Sequence, residues 1–245
     1  MRTHDRVSGV RPHEFWQVLH PGGSYGAEAG HRDTFPAVLA DGRQLLLPIR
    51  ALADGRHGLA SLIVNQASFA VVDALAGDLA GRLAAFRPDI VIGLPTLGLT
   101  LAAEVARKLG HDRYVPLGTS RKFWYDEALS VPLSSITTQQ AKRLYIDPRM
   151  LPLIEGRRVA LVDDVISSGA SVRAGLSLLA SQGIVPVAVG AAMLQSLRWR
   201  ALLAAFGSDW PERVEGCFAT PLLERGPDGL WYGQAEGFRP AAERL

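Results

Sequence analysis

Residues 159–171 read VALVDDVISSGAS, and this segment carries the strongest structural signal in the chain. Its apolar first half is typical of a buried strand, which we expect to end at Asp163 and Asp164. A turn of small residues follows and leads into a helix over 171–182, which Gly183 ends. The segment therefore predicts a strand, a turn and a helix, with two carboxylates beside the turn.

The alternation of strand and helix continues on both sides of this segment. Apolar runs rich in β-branched residues predict strands at 44–50, 89–94, 113–117, 158–162 and 185–193. Apolar residues at helical spacing predict one or two helices over 60–86 and one over 98–108. The polar stretch 118–140 is typical of a loop or mobile hairpin. This order predicts an α/β fold with a doubly wound, mostly parallel sheet and ligands at the carboxyl ends of its strands.

The two ends of the chain are less regular than this core. Residues 1–57 begin with many Gly, Pro and His residues and predict an N-terminal hood region. Residues 208–245 contain a predicted strand at 217–223 and a turn at 226–229, and we expect this C-terminal segment to join the hood. The core would then span 58–207, under a smaller cap.

Composition and charge argue against several classes of protein. The 26 basic and 24 acidic side chains nearly cancel, which argues against a surface that coats nucleic acid. Cys217 is the single cysteine, and the six histidines are not paired at the spacing of zinc ligands. The sequence shows no signal-peptide core after Met1 and no apolar run that fits a membrane span, so we expect a cytoplasmic location.

The order of groups in residues 159–171 suits a phosphorylated sugar. Backbone N–H groups at a helix N-terminus bind anions, small residues let a phosphate approach closely, and serine hydroxyls add donors. Carboxylates on the preceding strand can accept hydrogen bonds from ribose hydroxyls and stabilise positive charge on the ring. An acid pair or a serine-rich turn alone often only caps a helix, but the ordered combination favours the functional interpretation.

The segment resembles the PRPP-binding motif of type I phosphoribosyltransferases, enzymes that use the activated ribose phosphate donor PRPP. In that motif an apolar strand, two acids and a small Thr/Ser-Gly loop follow one another; many members have a second glycine at the position of Ala170. The resemblance implies that Asp163 and Asp164 are catalytic, face the ribose hydroxyls and hold Mg²⁺, directly or indirectly. The residues that it implies for the 5-phosphate are Ser167, Ser168, Gly169, Ala170 and Ser171.

Residues 93–98, GLPTLG, fall where the family has its pyrophosphate loop. The resemblance implies that Thr96, Leu97 and Gly98 bind pyrophosphate. Leu97 departs from the family pattern, because adenine- and orotate-type enzymes often have Lys or Arg before the glycine. Backbone donors remain available in the loop, but a charge is missing from it.

The sequence Ser120-Arg121-Lys122 falls where related enzymes have an Arg-Lys pair that leads into a mobile catalytic loop. The resemblance implies catalytic roles for Arg121 and Lys122 at the leaving pyrophosphate, since a basic flap can exclude water and pair with the anion. Trp124 and Tyr125 follow as candidates for stacking on a base.

The resemblance implies transfer of the 5-phosphoribosyl group of PRPP to a nitrogenous base, with release of pyrophosphate. The Asp-Asp pair is more like adenine- and orotate-type enzymes, which favours a purine, adenine first, with an orotate-type pyrimidine enzyme as an alternative. A non-catalytic PRPP-binding regulator of the same fold and an unrelated α/β anion binder, such as a small phosphatase or sugar isomerase, are further alternatives. The expected partners are PRPP, a base and pyrophosphate, without nucleic acid or membrane, and relatives suggest a homodimer.

Overall fold

The computed structural model describes residues 10–26, 30–133 and 142–234. The strands are β1 (Leu19–His20), β2 (Thr34–Val38), β3 (Gln44–Ala51), β4 (His57–Ala60), β5 (Ile90–Gly93), β6 (Val115–Pro116), β7 (Ser130–Leu133), β8 (Lys142–Tyr145), β9 (Val159–Ile166), β10 (Ala188–Gln195), β11 (Val214–Thr220), β12 (Leu222–Arg225) and β13 (Trp231–Gly233). The α-helices are α1 (Phe69–Ala84), α2 (Gly98–Lys108), α3 (Ala170–Ala180) and α4 (Arg198–Ala204). None of the described helices has both the length and the apolar character that crossing a membrane requires.

A parallel sheet of five strands, in the order β6-β5-β9-β10-β11, forms the centre of the molecule. Successive residues of a strand face opposite sides, so a strand that is covered on both faces is apolar throughout. In β9, Ala160 and Val162 belong to the core on the side of α1 and α2, whereas Val159 and Leu161 belong to the core beside α3 and α4. Helices therefore cover both faces, which confirms the predicted doubly wound α/β fold.

A second, antiparallel sheet forms the hood and combines both parts of the chain that flank the core. Its order is β1-β3-β4-β12-β13, and β2 pairs with β3. Strand β4 precedes the core and β12 follows it, yet they lie side by side with Leu59 opposite Leu222. The Gln195 side chain ties the two sheets together, because its Nε2 donates to the Ala60 carbonyl at 2.6 Å. The predicted hood from N- and C-terminal segments is thus confirmed as an antiparallel sheet.

Several elements differ in extent or place from the sequence prediction. Helix α2 has the predicted bounds, but β9 continues beyond the predicted end of its strand to Ile166, so the two aspartates lie within it. The predicted strand at 217–223 is two strands that separate at Pro221. The first of them, β11, pairs with β10 in the parallel sheet, and only β12 and β13 join the hood. The domain boundaries at 57/58 and 207/208 stay predictions.

The strand order places a crevice beside β5 and β9. After β5 the chain moves outward to β6 on one side, and it later returns to add β9, β10 and β11 on the other side. In open α/β sheets of this kind, ligands bind where the strand order reverses, outside the carboxyl ends of the strands. The carboxyl ends of β5 and β9 lead into residues 93–98 and 167–171, which we call the 93–98 loop and the 167–171 turn.

Candidate active site

The aspartate pair lies in the last part of β9. Asp163 is 5% exposed and Asp164 is 9% exposed, and the Asp164 backbone N–H donates to Asp163 Oδ1 at 2.9 Å. Burial raises the pKa of Asp163 well above the usual carboxyl range, and the neighbouring charge of Asp164 raises it further. Burial also raises the pKa of Asp164. Each carboxyl therefore holds its proton more firmly than in water, unless a cation or hydrogen-bond donors compensate the charged form.

The 93–98 loop lies directly against Asp163. The Leu94 N–H donates to the Val162 carbonyl at 2.8 Å and continues the pairing of β5 with β9. The Pro95–Thr96 peptide bond is cis, and α2 begins at Gly98. A Cβ added to Gly98 would lie 2.8 Å from Asp163 Cα and 2.8 Å from its Oδ1. Glycine at position 98 is what lets the loop and the aspartate pack together, so two of the predicted groups meet in the structure.

The 167–171 turn joins β9 to α3 in a conformation that requires glycine. Gly169 has a φ of +83°, in the left-handed region, and precedes Ala170 as the first residue of α3. The first N–H groups of a helix have no acceptor within the helix, and they lie at the positive end of its dipole. In this turn the Ala170 N–H approaches Ser168 Oγ at 3.4 Å. The geometry suits an anion, and only Val165 and Ile166 separate the turn from Asp164 in the chain.

A cation that sequence reasoning missed lies at the same turn. Arg198, the first residue of α4, donates from Nη2 to Ser167 Oγ at 3.1 Å. The Ser196 hydroxyl oxygen accepts from Arg198 Nε at 3.3 Å and from its backbone N–H at 3.4 Å. Arg198 follows the end of β10 by three residues, and the sequence gives no sign of which loop its side chain approaches. The contact depends on how α4 packs.

The basic residues of the predicted flap are not brought to the aspartate pair. Arg121 forms an ion pair with Glu127 (Nε to Oε1, 3.1 Å), and Arg143 approaches the other oxygen of that carboxylate at 3.5 Å. Lys122 lies next to Arg121 and is exposed. Among the described residues, no ion pair or hydrogen bond joins Arg121 or Lys122 to either aspartate. Their catalytic roles stay predictions.

The aromatic residues after Lys122 have protein partners. The Trp124 indole N–H donates to Asp147 Oδ2 at 3.2 Å, and the guanidinium carbon of Arg149 lies 4.6 Å from the ring centroid. The Tyr125 ring lies 5.7 Å from the Tyr145 ring. A neighbouring side chain therefore packs against each of the two rings. The role of Trp124 and Tyr125 in stacking on a base stays a prediction.

The aspartate pair fits an Mg²⁺ ion that shares its ligands with a phosphorylated molecule. Within the part of the chain that the structure describes, no cluster of three or more His, Cys, Asp or Glu side chains could hold a metal alone. Mg²⁺ commonly takes one or two carboxylates, keeps several waters and binds oxygens of substrate phosphates. Asp163 and Asp164 match that donor set, and a nearby cation would favour their charged forms.

Comparisons with known proteins identify the family of this chain. Residues 60–201 match the family model described as "Phosphoribosyl transferase domain". The chain is 34% identical over 137 residues to an orotate phosphoribosyltransferase of Halorhodospira halophila, a match that covers 55% of this chain and 54% of the relative. It is 32% identical over 96 residues to a hypoxanthine/guanine phosphoribosyltransferase of Methanosalsum zhilinae, covering 39% of this chain and 46% of the relative. The matches thus span about half the length of these curated relatives.

A solved structure shows the same fold. The APRTase of Giardia lamblia, complexed with 9-deazaadenine, superimposes with a TM-score of 0.53 at 18% sequence identity. The match covers 64% of this chain and 82% of that chain. At this identity the likeness concerns the architecture alone.

Proposed function

Because the chain belongs to the phosphoribosyl transferase domain family, we propose that it transfers the 5-phosphoribosyl group of PRPP to a nitrogenous base and releases pyrophosphate. The observation that carries this proposal is the contact of Gly98 with Asp163. It places the 93–98 loop against the strand that carries the two carboxyl groups and leads into the 167–171 turn, and the strand order reverses at this strand and its neighbour β5. PRPP has two anionic ends and a ribose between them, so the donor matches this arrangement.

In the proposed reaction the protein mainly positions the donor and stabilises charge. The 167–171 turn holds the 5-phosphate, Asp163 and Asp164 accept hydrogen bonds from the ribose hydroxyls, and the 93–98 loop holds the pyrophosphate. A nitrogen of the base forms a bond to C1 of the ribose, while the bond from C1 to the pyrophosphate oxygen breaks and its electron pair leaves with pyrophosphate. Positive charge that develops on the ring is stabilised by the two carboxylates.

Asp163 and Asp164 are the residues that would hold Mg²⁺, directly or through water. Bound with PRPP, the ion would neutralise part of the charge on the leaving pyrophosphate. Burial raises the pKa of each aspartate, so protons compete with a cation for the carboxylate oxygens, and binding of the donor complex should weaken as the pH falls.

We propose a purine as the acceptor, with adenine as the first to test and orotate as the alternative. The Asp-Asp pair supports this order through the resemblance described above. Trp124 and Tyr125 would stack on the base, and Arg121 and Lys122 would close over pyrophosphate. By the same resemblance we expect a homodimer.

A regulator that binds PRPP without turnover is the second candidate. The observation that favours it is Leu97, a half-buried apolar residue at the position where a cation is frequent in catalytic relatives. Such a protein would keep the 167–171 turn and the aspartates for binding, while the leaving group would lack stabilisation.

Pyrophosphate release from PRPP and Mg²⁺ separates these candidates. The wild-type chain is assayed with adenine, hypoxanthine, guanine, orotate and uracil, and thermal unfolding with PRPP is compared with unfolding in ribose 5-phosphate. Turnover with one base supports the enzyme, and Asp164→Asn should then abolish turnover while the fold is kept. PRPP binding without turnover on any base supports the regulator. If PRPP gives no more stabilisation than a simple phosphate ester does, both candidates are wrong.

A further inference from the structure

We propose that Arg198 is a binding residue for the 5-phosphate of the donor, which adds a cation from α4 to the 167–171 turn. This inference rests on the proposed function. It concerns a residue outside the segment 159–171, and its basis is the 3.1 Å hydrogen bond from Arg198 Nη2 to Ser167 Oγ.

Helix α4 is fixed against the turn by close packing. A Cβ added to Gly169 would lie 3.2 Å from Trp199 Cβ and 3.3 Å from Leu202 Cδ2. Trp199 is 2% exposed, and its indole N–H donates to the Ser196 carbonyl at 3.1 Å. The backbone of Arg198 is therefore held between a buried tryptophan and the end of β10. The fold therefore fixes the backbone position from which the Arg198 side chain extends toward the turn.

The hydrogen bonds of Arg198 leave capacity for an anion. A guanidinium has five N–H donors, and the contacts described above use Nε on Ser196 and Nη2 on Ser167. Within the described ranges, no carboxylate forms an ion pair with Arg198, whereas Arg200 in the same helix pairs with Glu212 at 3.0 Å. A phosphate is a natural partner for such a guanidinium, because the planar fork matches two of its oxygens.

The contact with Ser167 would also direct the serine hydroxyl. Ser167 Oγ accepts a hydrogen bond from Arg198, so its own O–H is available to donate. A phosphate bound at the turn would then receive donors from the backbone, the Ser167 hydroxyl and the guanidinium. Arg198 would thus strengthen binding both through its charge and through the orientation of Ser167.

Isothermal titration of the full chain with ribose 5-phosphate, and separately with pyrophosphate, tests the inference. We expect Arg198→Ala to weaken ribose 5-phosphate binding by at least about tenfold, the effect of losing a charge-assisted hydrogen bond. Pyrophosphate affinity should change by less than about twofold, because pyrophosphate would bind at the 93–98 loop. Arg198→Lys should recover part of the loss, since it keeps the charge without the fork.

Arg200→Ala is the matched control, because it removes an equal charge from the same helix and leaves Ser167 untouched. It should bind both ligands like the wild type. Thermal unfolding of each variant is measured first, and Arg198→Gln replaces Arg198→Ala if the alanine variant is destabilised. Unchanged ribose 5-phosphate affinity, or an equal loss for both ligands, overturns the role of Arg198 and leaves the proposed function standing. A wild-type chain that binds PRPP and ribose 5-phosphate no better than inorganic phosphate overturns both.

Discussion

Replacing Gly98 by alanine tests whether the 93–98 loop and the aspartate pair depend on one close contact. The added Cβ would lie 2.8 Å from Asp163 Cα, whereas ordinary van der Waals contact begins at 3.4 Å. Loop and strand would have to separate by about 0.6 Å, because a backbone atom cannot rotate out of the way. Overpacking of this kind costs about 1–3 kcal/mol in the free energy of unfolding.

Gly81→Ala is the matched control, because Gly81 is an exposed residue within α1 and an added Cβ there meets nothing within 4 Å. Alanine is the better helix former, so we expect this variant to gain about 0.5–1 kcal/mol. Urea unfolding of both variants, with equal slopes against denaturant, measures the difference. If the free energy of unfolding falls in Gly98→Ala and rises in Gly81→Ala, the contact with Asp163 explains the difference.

The same displacement should reduce activity. A misplacement on the order of 1 Å at a reacting centre can cost about 100-fold in rate, so we expect kcat/KM for PRPP to fall by about tenfold or more in Gly98→Ala. Gly81→Ala should keep the wild-type value. A Gly98→Ala variant that is as stable and as active as the wild type would refute the packing argument, and with it the claim that this glycine holds the two groups together.

Two further predictions concern charge. Burial holds the pKa of Asp163 in the folded protein well above its value in the unfolded chain, so the contribution of this carboxyl to stability is full at low pH and is lost as the pH rises through the folded pKa. Asp163→Asn should therefore raise the free energy of unfolding at pH 7 and make its decline above pH 4 less steep, while turnover falls. Urea unfolding at a series of pH values measures the decline, and a steeper decline in the variant than in the wild type would contradict the prediction. Lys122→Ala should lower pyrophosphate release more than it weakens ribose 5-phosphate binding. Equal losses in the two measurements would contradict a role for Lys122 in a flap over pyrophosphate.

The sequence predicted the helices and strands that are determined by residues close together in the chain. Helix α2 has its predicted bounds because its apolar residues recur at helical spacing and Gly110 follows with a φ of +81°. The buried strands are apolar runs because both faces of the sheet are covered. Strand β9 is longer than predicted, since two adjacent carboxylates suggest a strand end, although pairing with β10 continues through Asp163. Two charged residues do not end a strand when they lie where it borders a crevice, as Asp163 and Asp164 do in β9.

The sequence could not predict contacts that depend on distant pairing. A strand pattern at 217–223 does not say that β11 pairs with β10 while β12 pairs with β4. Arg198 and Ser167 are far apart in the chain, and the packing of α4 decides that they meet. The motif at 159–171 did locate the aspartates and the turn, because strand, acids and turn are contiguous. Whether Arg121 and Lys122 join them depends on the conformation of a long loop.

The pairing of β4 with β12 has a consequence for how the molecule assembles. Strand β12 is synthesised only after the whole core that separates it from β4 in sequence, so this part of the hood cannot close until that core has left the ribosome. Contacts between residues so distant in sequence carry a large loop-closure entropy and tend to form slowly. Until then β4 would present an open edge, which other chains can pair with. A nascent chain is therefore most exposed to aggregation between the synthesis of β4 and that of β12, while this edge of the hood lacks its partner strand.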